Sequence, residues 1–415
     1  MIFRTQWLAA SAVVALLGIP NVVYAHPAQP TPTQAAKCDS TAACFEVGDR
    51  REKAQLLRAK AQTLVSGLVR ADAAPGAAAY IIAPKFGVDD GVAAGVTERA
   101  GGEPLTIERP IRISSVTKPF VAAAILRLWE MDKIDLDRPI DYYLPPSHVK
   151  ILTDGGYDVR AITVRHLLSH SAGLVDVFYT NAFAQMEPKL MSGQVKHRFT
   201  VEEQLKLAME GGPRFAPGKA FEYSDTGYIL LGAILEKATG KSMAAATREL
   251  VGFDRLGLAS TWWEVLEPQP KGVLARAHQY EYAQGWDSYD NDPPHDLLGG
   301  GGMVSTPKDL ARFFYALFHG QVFKKPETIH VMVSVDKTAT PRKQNDAVYG
   351  HGLRIHKVGD LTIYAHGGWW GLDVGYVPEL DMAVSVIGLR RDIRPRYAAA
   401  FDQLILEAAR LRAKR

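Results

Sequence analysis

The sequence is poor in cysteine and has almost no excess of either charge. Its 415 residues include two cysteines, and 48 Lys and Arg against 45 Asp and Glu give a formal net charge of +3. No dense stripe of Lys and Arg interleaved with aromatic residues occurs, which argues against a nucleic-acid partner. The chain also lacks a repeat period and, beyond its N-terminal leader, a low-complexity linker. One composite domain is therefore expected rather than a string of modules.

Long apolar segments are scarce, and the one that stands out lies at the N-terminus. Residues 1–25 contain Arg4, an apolar run from Leu8 to Ile19, a breaking Pro20 and small or neutral residues up to Ala25. This order is typical of a secretory signal peptide. A membrane anchor needs about 20 apolar residues, and this run is shorter and is closed by proline. We therefore predict cleavage near Ala25 and a periplasmic or secreted protein without a stable membrane anchor.

Residues 26–44 are predicted to form a leader ahead of the mature domain. Both cysteines, Cys38 and Cys44, lie in it. In an oxidising compartment they are expected either to form a short local disulfide or to remain two free thiols. No histidine pair accompanies them, and no glutamate stands in the register of a His-Glu-x-x-His motif with His166 and His170, which are interpreted as structural. No metal and no cofactor are predicted.

Residues 45–415 have the composition and patterning of one α+β domain. The chain is 47% hydrophobic and 22% charged, as ordinary globular proteins are. A helix over 50–69 precedes strands over 77–83 and 91–97, and a mainly helical region of about 133–296 follows. We interpret this pattern as an antiparallel sheet flanked by helices and interrupted by a helical insertion. Strands that complete the sheet are predicted at 297–304, 349–356, 361–364, 371–377 and 382–389, before a helix over 395–413.

The stretch Ser115-Val116-Thr117-Lys118 places a hydroxyl and an amine three residues apart. Pro119 has no N–H to donate and is tolerated in the first turn of a helix, so the helix is expected to begin near Ser114 or Ser115. Residues three apart share a helix face. Ser115 can therefore be a nucleophile with Lys118, as the neutral amine, for its base. The same pattern also fits an N-cap followed by a surface lysine. It therefore indicates a catalytic pair only together with partner residues from elsewhere in the chain.

Two later stretches supply such partners. Tyr223 lies just ahead of a predicted helix over 226–238, in a loop where a side chain can be aimed into a cleft. His366 is followed by Gly367 and Gly368 at the end of a predicted strand, which we expect to be an edge strand, and glycine there lets the backbone approach a substrate closely.

In this order the three pieces resemble the class C β-lactamase and penicillin-binding D,D-peptidase family of serine hydrolases. The resemblance covers nearly the whole mature chain and implies a β-lactamase/transpeptidase-like fold. It also implies that the backbone N–H groups of Ser115 and Trp369 bind the oxyanion. Further stretches that look like the family are 165–174, 217–219, 231–236 and 301–306.

The chemistry of the residues suggests their roles. Ser115 would attack a carbonyl, Lys118 would take the serine proton, and Tyr223 would relay a proton to the leaving group. His366 would supply positive charge or a proton path as pH allows. Water would then release the acyl group in a hydrolase, and an amine would release it in a transpeptidase.

Two departures from the family pattern affect the substrate. Asp225 stands where the family mostly has asparagine; it is expected to hold Lys118 cationic, to bind a cationic or N–H-rich substrate group, or to cap the following helix. His366 stands where many members have lysine, as it does in peptidases and esterases of the family.

The sequence as a whole predicts an exported serine hydrolase that cleaves an amide or ester bond of a small molecule or peptide through a Ser115 acyl-enzyme. A relative of the peptidase or esterase type is expected first. The alternatives are a β-lactamase and a sensor of the same fold that binds peptide or cell wall without turnover.

Overall fold

The computed structural model describes residues 41–70, 74–291, 298–335 and 347–413. The predicted signal peptide and Cys38 lie outside the described residues, so cleavage near Ala25 and a disulfide to Cys44 remain predictions. The chain divides into two units, 1–47 and 48–415. Apart from the first residues of the helix Thr41–Arg70, everything described below belongs to the second unit.

A seven-stranded antiparallel sheet forms the centre of the domain, and its strands are β1 Gly76–Ala83, β2 Val88–Gly95, β8 Val348–Tyr349, β9 Arg354–Val358, β10 Leu361–Gly368, β11 Leu372–Val377 and β12 Met382–Gly388. They lie side by side in the order β2-β1-β12-β11-β10-β9-β8. The early strand β1 thus pairs with β12 from the end of the chain, and β2 pairs with β1, which confirms a sheet begun early and completed late.

The sheet is buried on both faces, as alternate residues of β1 demonstrate. Ala78, Tyr80 and Ile82 belong to one apolar cluster, whereas Ala79 and Ile81 belong to another. Successive side chains of a strand point to opposite faces, so the two clusters lie on opposite sides of the sheet. This explains why the strand is almost continuously apolar.

Helices cover the two faces unequally. The helices are α1 Thr41–Arg70, α2 Thr117–Glu130, α3 Pro146–Asp154, α4 Val164–Leu168, α5 Asn181–Met191, α6 Val201–Ala208, α7 Asp225–Thr239, α8 Met243–Val251, α9 Phe253–Leu256, α10 Pro307–Phe318, α11 Glu327–Val333 and α12 Arg394–Ala413. Helices α1 and α12 contribute to one apolar cluster, and α2, α7, α8 and α10 contribute to the other, larger cluster.

The structure corrects one strand prediction and divides another. The strand predicted over 297–304 is wrong for the main sheet. Its last residues begin β7 Met303–Ser305, which pairs with β3 Ile111–Arg112 and β4 Trp262–Trp263 in a separate three-stranded sheet. The run 349–356 is divided between β8 and β9 by a turn. A short hairpin of β5 Tyr280–Glu281 and β6 Trp286–Asp287 completes the strands.

No helix within the described residues is both long enough and apolar enough to cross a membrane.

Candidate active site

Ser115 lies at the start of α2, as the position of Pro119 predicts. Ser114–Val116 form a short 3₁₀ turn that runs directly into α2 at Thr117. Ser114 adopts a φ of +46°, a left-handed conformation that is uncommon for residues other than glycine. The strained residue therefore directly precedes Ser115 in the chain, and strained backbone is common at functional sites.

Lys118 is fully buried, with 0% of its surface exposed. Its Nζ lies 3.1 Å from Ser115 Oγ and 2.6 Å from the carbonyl oxygen of Gly300, and it also donates to Asp225 Oδ1. An ammonium group has three N–H donors and no acceptor. Each donor of Lys118 thus has a partner, and the reading of Lys118 as a surface lysine is wrong.

Asp225 forms a buried ion pair with Lys118. The N-cap residue of α7 is Ser224, and Asp225 is the first helical residue. The contact with Lys118 fits the expectation that Asp225 holds this amine cationic, and that role and substrate binding both remain predictions. A Cβ atom on Gly300 would lie 2.4 Å from Asp225 Oδ1, so glycine is needed where the carbonyl approaches this pair.

A second buried carboxyl group accompanies the ion pair. Asp176 is 4% exposed and accepts a hydrogen bond of 3.0 Å from the backbone N–H of Phe178. Burial, followed by the neighbouring Asp225 carboxylate, raises the pKa of Asp176 well above its ordinary value. Asp176 therefore favours its neutral form and leaves Asp225 as the anionic partner of Lys118.

Tyr223 lies beside Lys118, as expected from its place ahead of α7. The Lys118 Nζ is 4.9 Å from the centroid of the Tyr223 ring. The ring centroid of His366 is 6.4 Å from that of Tyr223, and the ring centroid of His170 is 4.2 Å away. Side chains from α2, α7 and β10 therefore converge on one cluster with Ser115.

His366 is buried and accepts a hydrogen bond through Nε2. Its Nδ1 lies 2.9 Å from the carbonyl oxygen of Gly367, which only accepts, so Nδ1 carries the proton. The Tyr349 hydroxyl, 2.9 Å from Nε2, then acts as the donor. Burial and the charge of Lys118 lower the pKa of His366 to about 3. A side chain that is uncharged at neutral pH favours the expected proton path over the expected positive charge, and both roles remain predictions.

The end of β10 comes close to residues 113–116, the turn that carries Ser115, which we call the serine loop. The pairing of β9 with β10 stops at Ala365, whereas β11 continues to pair as far as Gly368. The expectation of an edge strand is therefore wrong for β10 as a whole, but the last three residues extend beyond the β9 ladder. A Cβ atom on Gly368 would lie 2.5 Å from the carbonyl oxygen of Ile113, so this close approach requires glycine.

Trp369 follows this strand and is half-buried. Its ring is nearly parallel to that of Trp286 at a centroid distance of 6.5 Å, and the Arg391 guanidinium lies 4.0 Å from the Trp369 ring centroid. By contrast, Trp262 and Trp263 are buried in the small sheet. The aromatic surface just beyond the end of β10 therefore comes from Trp369 and Trp286.

Two residues of this cluster were not predicted from the sequence. Tyr349, on β8, contacts His366, and His170, which was interpreted as structural alone, packs against Tyr223. The spacing of His170 from His166 in the sequence gave no indication of this contact. His166 does have the structural place expected of it, because its Nδ1 accepts a 3.2 Å hydrogen bond from the backbone N–H of Thr163.

In the described ranges, no group of three or more His, Cys, Asp or Glu side chains has an arrangement suited to a metal ion.

Residues 61–406 match the model of the family described as Beta-lactamase. The chain is 31% identical over 279 residues to Esterase EstB of Burkholderia gladioli, a match that spans 63% of this chain and 70% of that protein. It is 26% identical over 333 residues to Penicillin-binding protein 4* of Bacillus subtilis (strain 168), spanning 76% of this chain and 67% of that protein.

The same fold occurs in a solved D-amino acid amidase from Ochrobactrum anthropi SV3. Its crystal structure complexed with L-phenylalanine amide superposes with a TM-score of 0.71 and 25% identity, covering 86% of this chain and 99% of that one. EstCE1, described as a hydrolase with promiscuous acyltransferase activity, has a TM-score of 0.67 and 22% identity, and covers 86% of this chain and 99% of its own. At that identity the likeness concerns the fold alone.

Proposed function

The chain belongs to the beta-lactamase family and is a serine hydrolase of the β-lactamase/transpeptidase fold, and on this premise we propose that it hydrolyses ester or amide bonds through an acyl-enzyme on Ser115. The observation that carries the proposal is the 3.1 Å contact between Lys118 Nζ and Ser115 Oγ at a fully buried amine. A serine beside a buried amine is a nucleophile beside its base.

The proposed reaction begins when Lys118 is the neutral amine. Ser115 Oγ attacks the substrate carbonyl carbon while its proton passes to Lys118, and the backbone N–H groups of Ser115 and Trp369 bind the resulting oxyanion. The bond to the leaving group breaks as Tyr223 gives that group a proton, and Tyr223 is reprotonated from Lys118. Water then attacks the acyl carbonyl and restores Ser115.

The neutral state of His366 favours an esterase or peptidase over a β-lactamase. A β-lactam carries a carboxylate next to its reactive ring, and binding is helped by a cation beside that group. His366 directs its Nδ1–H at the Gly367 carbonyl and its Nε2 at Tyr349, and burial lowers its pKa to about 3. It therefore offers no positive charge at the place where many members have lysine. We propose acyl substrates without such a carboxylate, with Gly367 and Gly368 next to the bound chain.

A turnover experiment separates a hydrolase from a sensor, the second function that the likeness to a penicillin-binding protein supports. The mature protein is mixed with excess p-nitrophenyl acetate, and p-nitrophenol release is followed beyond one equivalent. Continuous release over many equivalents is expected. A burst that stops at one equivalent would instead indicate a sensor that acylates without turnover. A panel of D-phenylalanine amide, a linear peptide amide and nitrocefin then ranks the substrate classes.

We also propose that the protein is exported, on the basis of residues 1–25. Expression of the full chain in a bacterial host, followed by osmotic release and intact-mass measurement, is expected to give a periplasmic protein that begins near His26. A cytoplasmic protein that retains its first 25 residues would contradict the proposal. The same mass spectrum, recorded with and without reductant and alkylation, determines whether Cys38 and Cys44 are bonded.

A further inference from the structure

His170 contacts the segment that carries Tyr223 on both sides of the tyrosine. The backbone N–H of Glu222 donates to the His170 carbonyl oxygen at 3.1 Å, and the backbone N–H of Ser224 donates to His170 Nδ1 at 3.2 Å. The imidazole itself packs on the Tyr223 ring at a centroid distance of 4.2 Å. The residue before Tyr223, the residue after it and its ring are thus all held by one histidine.

The backbone of His170 is strained in a way that makes these contacts possible. Its φ is +55°, in the left-handed region that few residues other than glycine adopt. Three residues further on, the Gly173 carbonyl oxygen accepts a 2.9 Å hydrogen bond from the N–H of Arg214. The Gly218 N–H similarly donates to the carbonyl oxygen of Ser171 at 2.8 Å. The loop 170–173 therefore fixes the whole approach of the segment 214–224 to the active site.

The contact with Ser224 sets the tautomer of His170. An N–H donor pointing at Nδ1 requires a lone pair there, so the neutral ring carries its proton on Nε2. A protonated imidazolium would present an N–H at Nδ1 and would oppose the Ser224 N–H. The segment beside Tyr223 is thus compatible with neutral His170 and not with the charged form.

The surroundings of His170 support the neutral form. Its side chain is 3% exposed, and burial, followed by the nearby Lys118 and His366, lowers its pKa well below the ordinary value. The titratable groups that face the ring come from α2, β10, β8 and the start of α7: Lys118, His366, Tyr349, Tyr223 and Tyr228.

We propose that His170 is a positioning residue for Tyr223, and that it acts by accepting the Ser224 N–H through Nδ1 and packing under the tyrosine ring. This inference rests on the proposed role of Tyr223 in proton transfer. It predicts that substitutions of His170 change kcat only when Tyr223 is present. A residue that merely stabilises the fold would change the melting temperature, and its effect on kcat would not depend on Tyr223.

Two substitutions of His170 distinguish the role of Nδ1 as a hydrogen-bond acceptor from the packing of the imidazole ring. In His170→Asn the side-chain oxygen takes the place of Nδ1, and asparagine tolerates a positive φ better than most residues. In His170→Gln the polar end instead takes the place of Nε2, so the Ser224 N–H loses its partner. Both variants remove the ring, so both lose similar packing. The kcat of His170→Gln for p-nitrophenyl acetate is expected to lie about tenfold or more below that of His170→Asn, with a small change in KM.

A double-mutant cycle tests whether the effect passes through Tyr223. In a Tyr223→Phe background, His170→Asn and His170→Gln are expected to have the same residual kcat. Equal kcat values for the two variants in the wild-type background, or the same ratio in both backgrounds, would overturn the inference. A Tyr223→Phe variant with wild-type activity would instead overturn the role proposed for Tyr223, so the two failures are distinguishable.

The tautomer of His170 can be measured in the wild-type protein itself. Imidazole ¹⁵N NMR of the wild-type protein at neutral pH, with His170 assigned by its loss in the His170→Asn spectrum or by selective nuclear Overhauser contacts to Tyr223, is expected to show an unprotonated Nδ1 and a protonated Nε2. A proton on Nδ1 at neutral pH would contradict the proposal, whatever the kinetic result.

Discussion

The Asp225 carboxylate, 107 positions after Lys118 in the chain, accepts a hydrogen bond from the Lys118 ammonium in the buried floor of the site. This pair places an anion directly beside the amine that is proposed to act as base. An adjacent anion favours the ammonium form of a lysine. The pair therefore puts Asp225 in direct contact with the residue that is proposed to take the proton of Ser115.

The wild-type value of kcat/KM is expected to rise from mildly acidic to mildly alkaline pH, since Lys118 or Tyr223 must lose a proton to serve as base. Asp225→Asn removes the anion beside the amine, so the rising limb should move to lower pH. The measurement is a pH profile with p-nitrophenyl acetate as substrate. Asp254→Asn, which neutralises a carboxylate with 96% of its side chain exposed, is the matched control and should leave the limb in place. An unmoved limb in Asp225→Asn would mean that the pair does not set the protonation of the base.

The approach of β10 to the serine loop gives a prediction on packing. In Gly368→Ala the new Cβ would lie 2.2 Å from a Leu372 side-chain carbon and 2.5 Å from the Ile113 carbonyl oxygen, so the strand and the loop must separate. The proposed oxyanion donors of Ser115 and Trp369 would separate with them. We expect kcat to fall by about 100-fold, the loss typical of a disturbed oxyanion site.

The control for this change is Gly67→Ala in α1, where a Cβ would meet no atom within 4 Å. Alanine is the better helix former, so the free energy of unfolding of this variant should rise by about 0.5–1 kcal/mol. Its urea midpoint should therefore be slightly higher, and its kcat should equal that of the wild type. Equal kcat in the two alanine variants would show that the close contact at Gly368 does not matter for catalysis.

His366 predicts a loss of stability in acid. Burial lowers its pKa to about 3 in the folded chain, against about 6.5 in an unfolded one. Above about pH 6.5 neither state binds the proton, and this contribution to stability is fully present. As pH falls from about 6.5 towards 3 the unfolded state alone takes up a proton, and about 1.4 kcal/mol is lost per pH unit.

Urea unfolding of the mature protein at several pH values between 7 and 5 measures this slope. His366→Gln, which keeps an acceptor for the Tyr349 hydroxyl, should have a shallower dependence than the wild type by about that amount. His330→Gln, at an exposed position of α11, should keep the wild-type slope. If His366→Gln and the wild type lose stability in parallel, His366 is not the buried neutral group described above.

Much of the site was predictable from local sequence. Ser115 and Lys118 are three residues apart, and Pro119 marks the first turn of the helix, so the two side chains are predicted to meet within one turn. This contact depends only on neighbouring residues of the chain. The place of Tyr223 ahead of α7 likewise follows from a local helix start. Gly300, Tyr349 and His170 could not be inferred in this way, because their contacts with these residues depend on the packing of elements far apart in the chain.

The fold shows the same division between local and distant information. The strands over 76–83 and 382–388 have clear apolar patterns, and their place in one sheet was predicted, whereas the pairing between them was not. The prediction for 297–304 failed because short apolar runs among glycines fit a strand of either sheet, and pairing with β3 and β4 decided the outcome. The charge of His366 depends on burial, which a sequence position alone does not give.

Intact-mass spectrometry of the acyl-enzyme tests the central claim, that Ser115 is the nucleophile, most directly. The mature wild-type protein and Ser115→Ala are each mixed with a fluorophosphonate and, separately, with a slowly hydrolysed activated ester. We predict one covalent adduct on the wild type, located by peptide mapping to Ser115, and neither adduct nor turnover in Ser115→Ala. An adduct of equal yield on Ser115→Ala, or on another residue of the wild type, would contradict the assignment of Ser115 and the mechanism built on it.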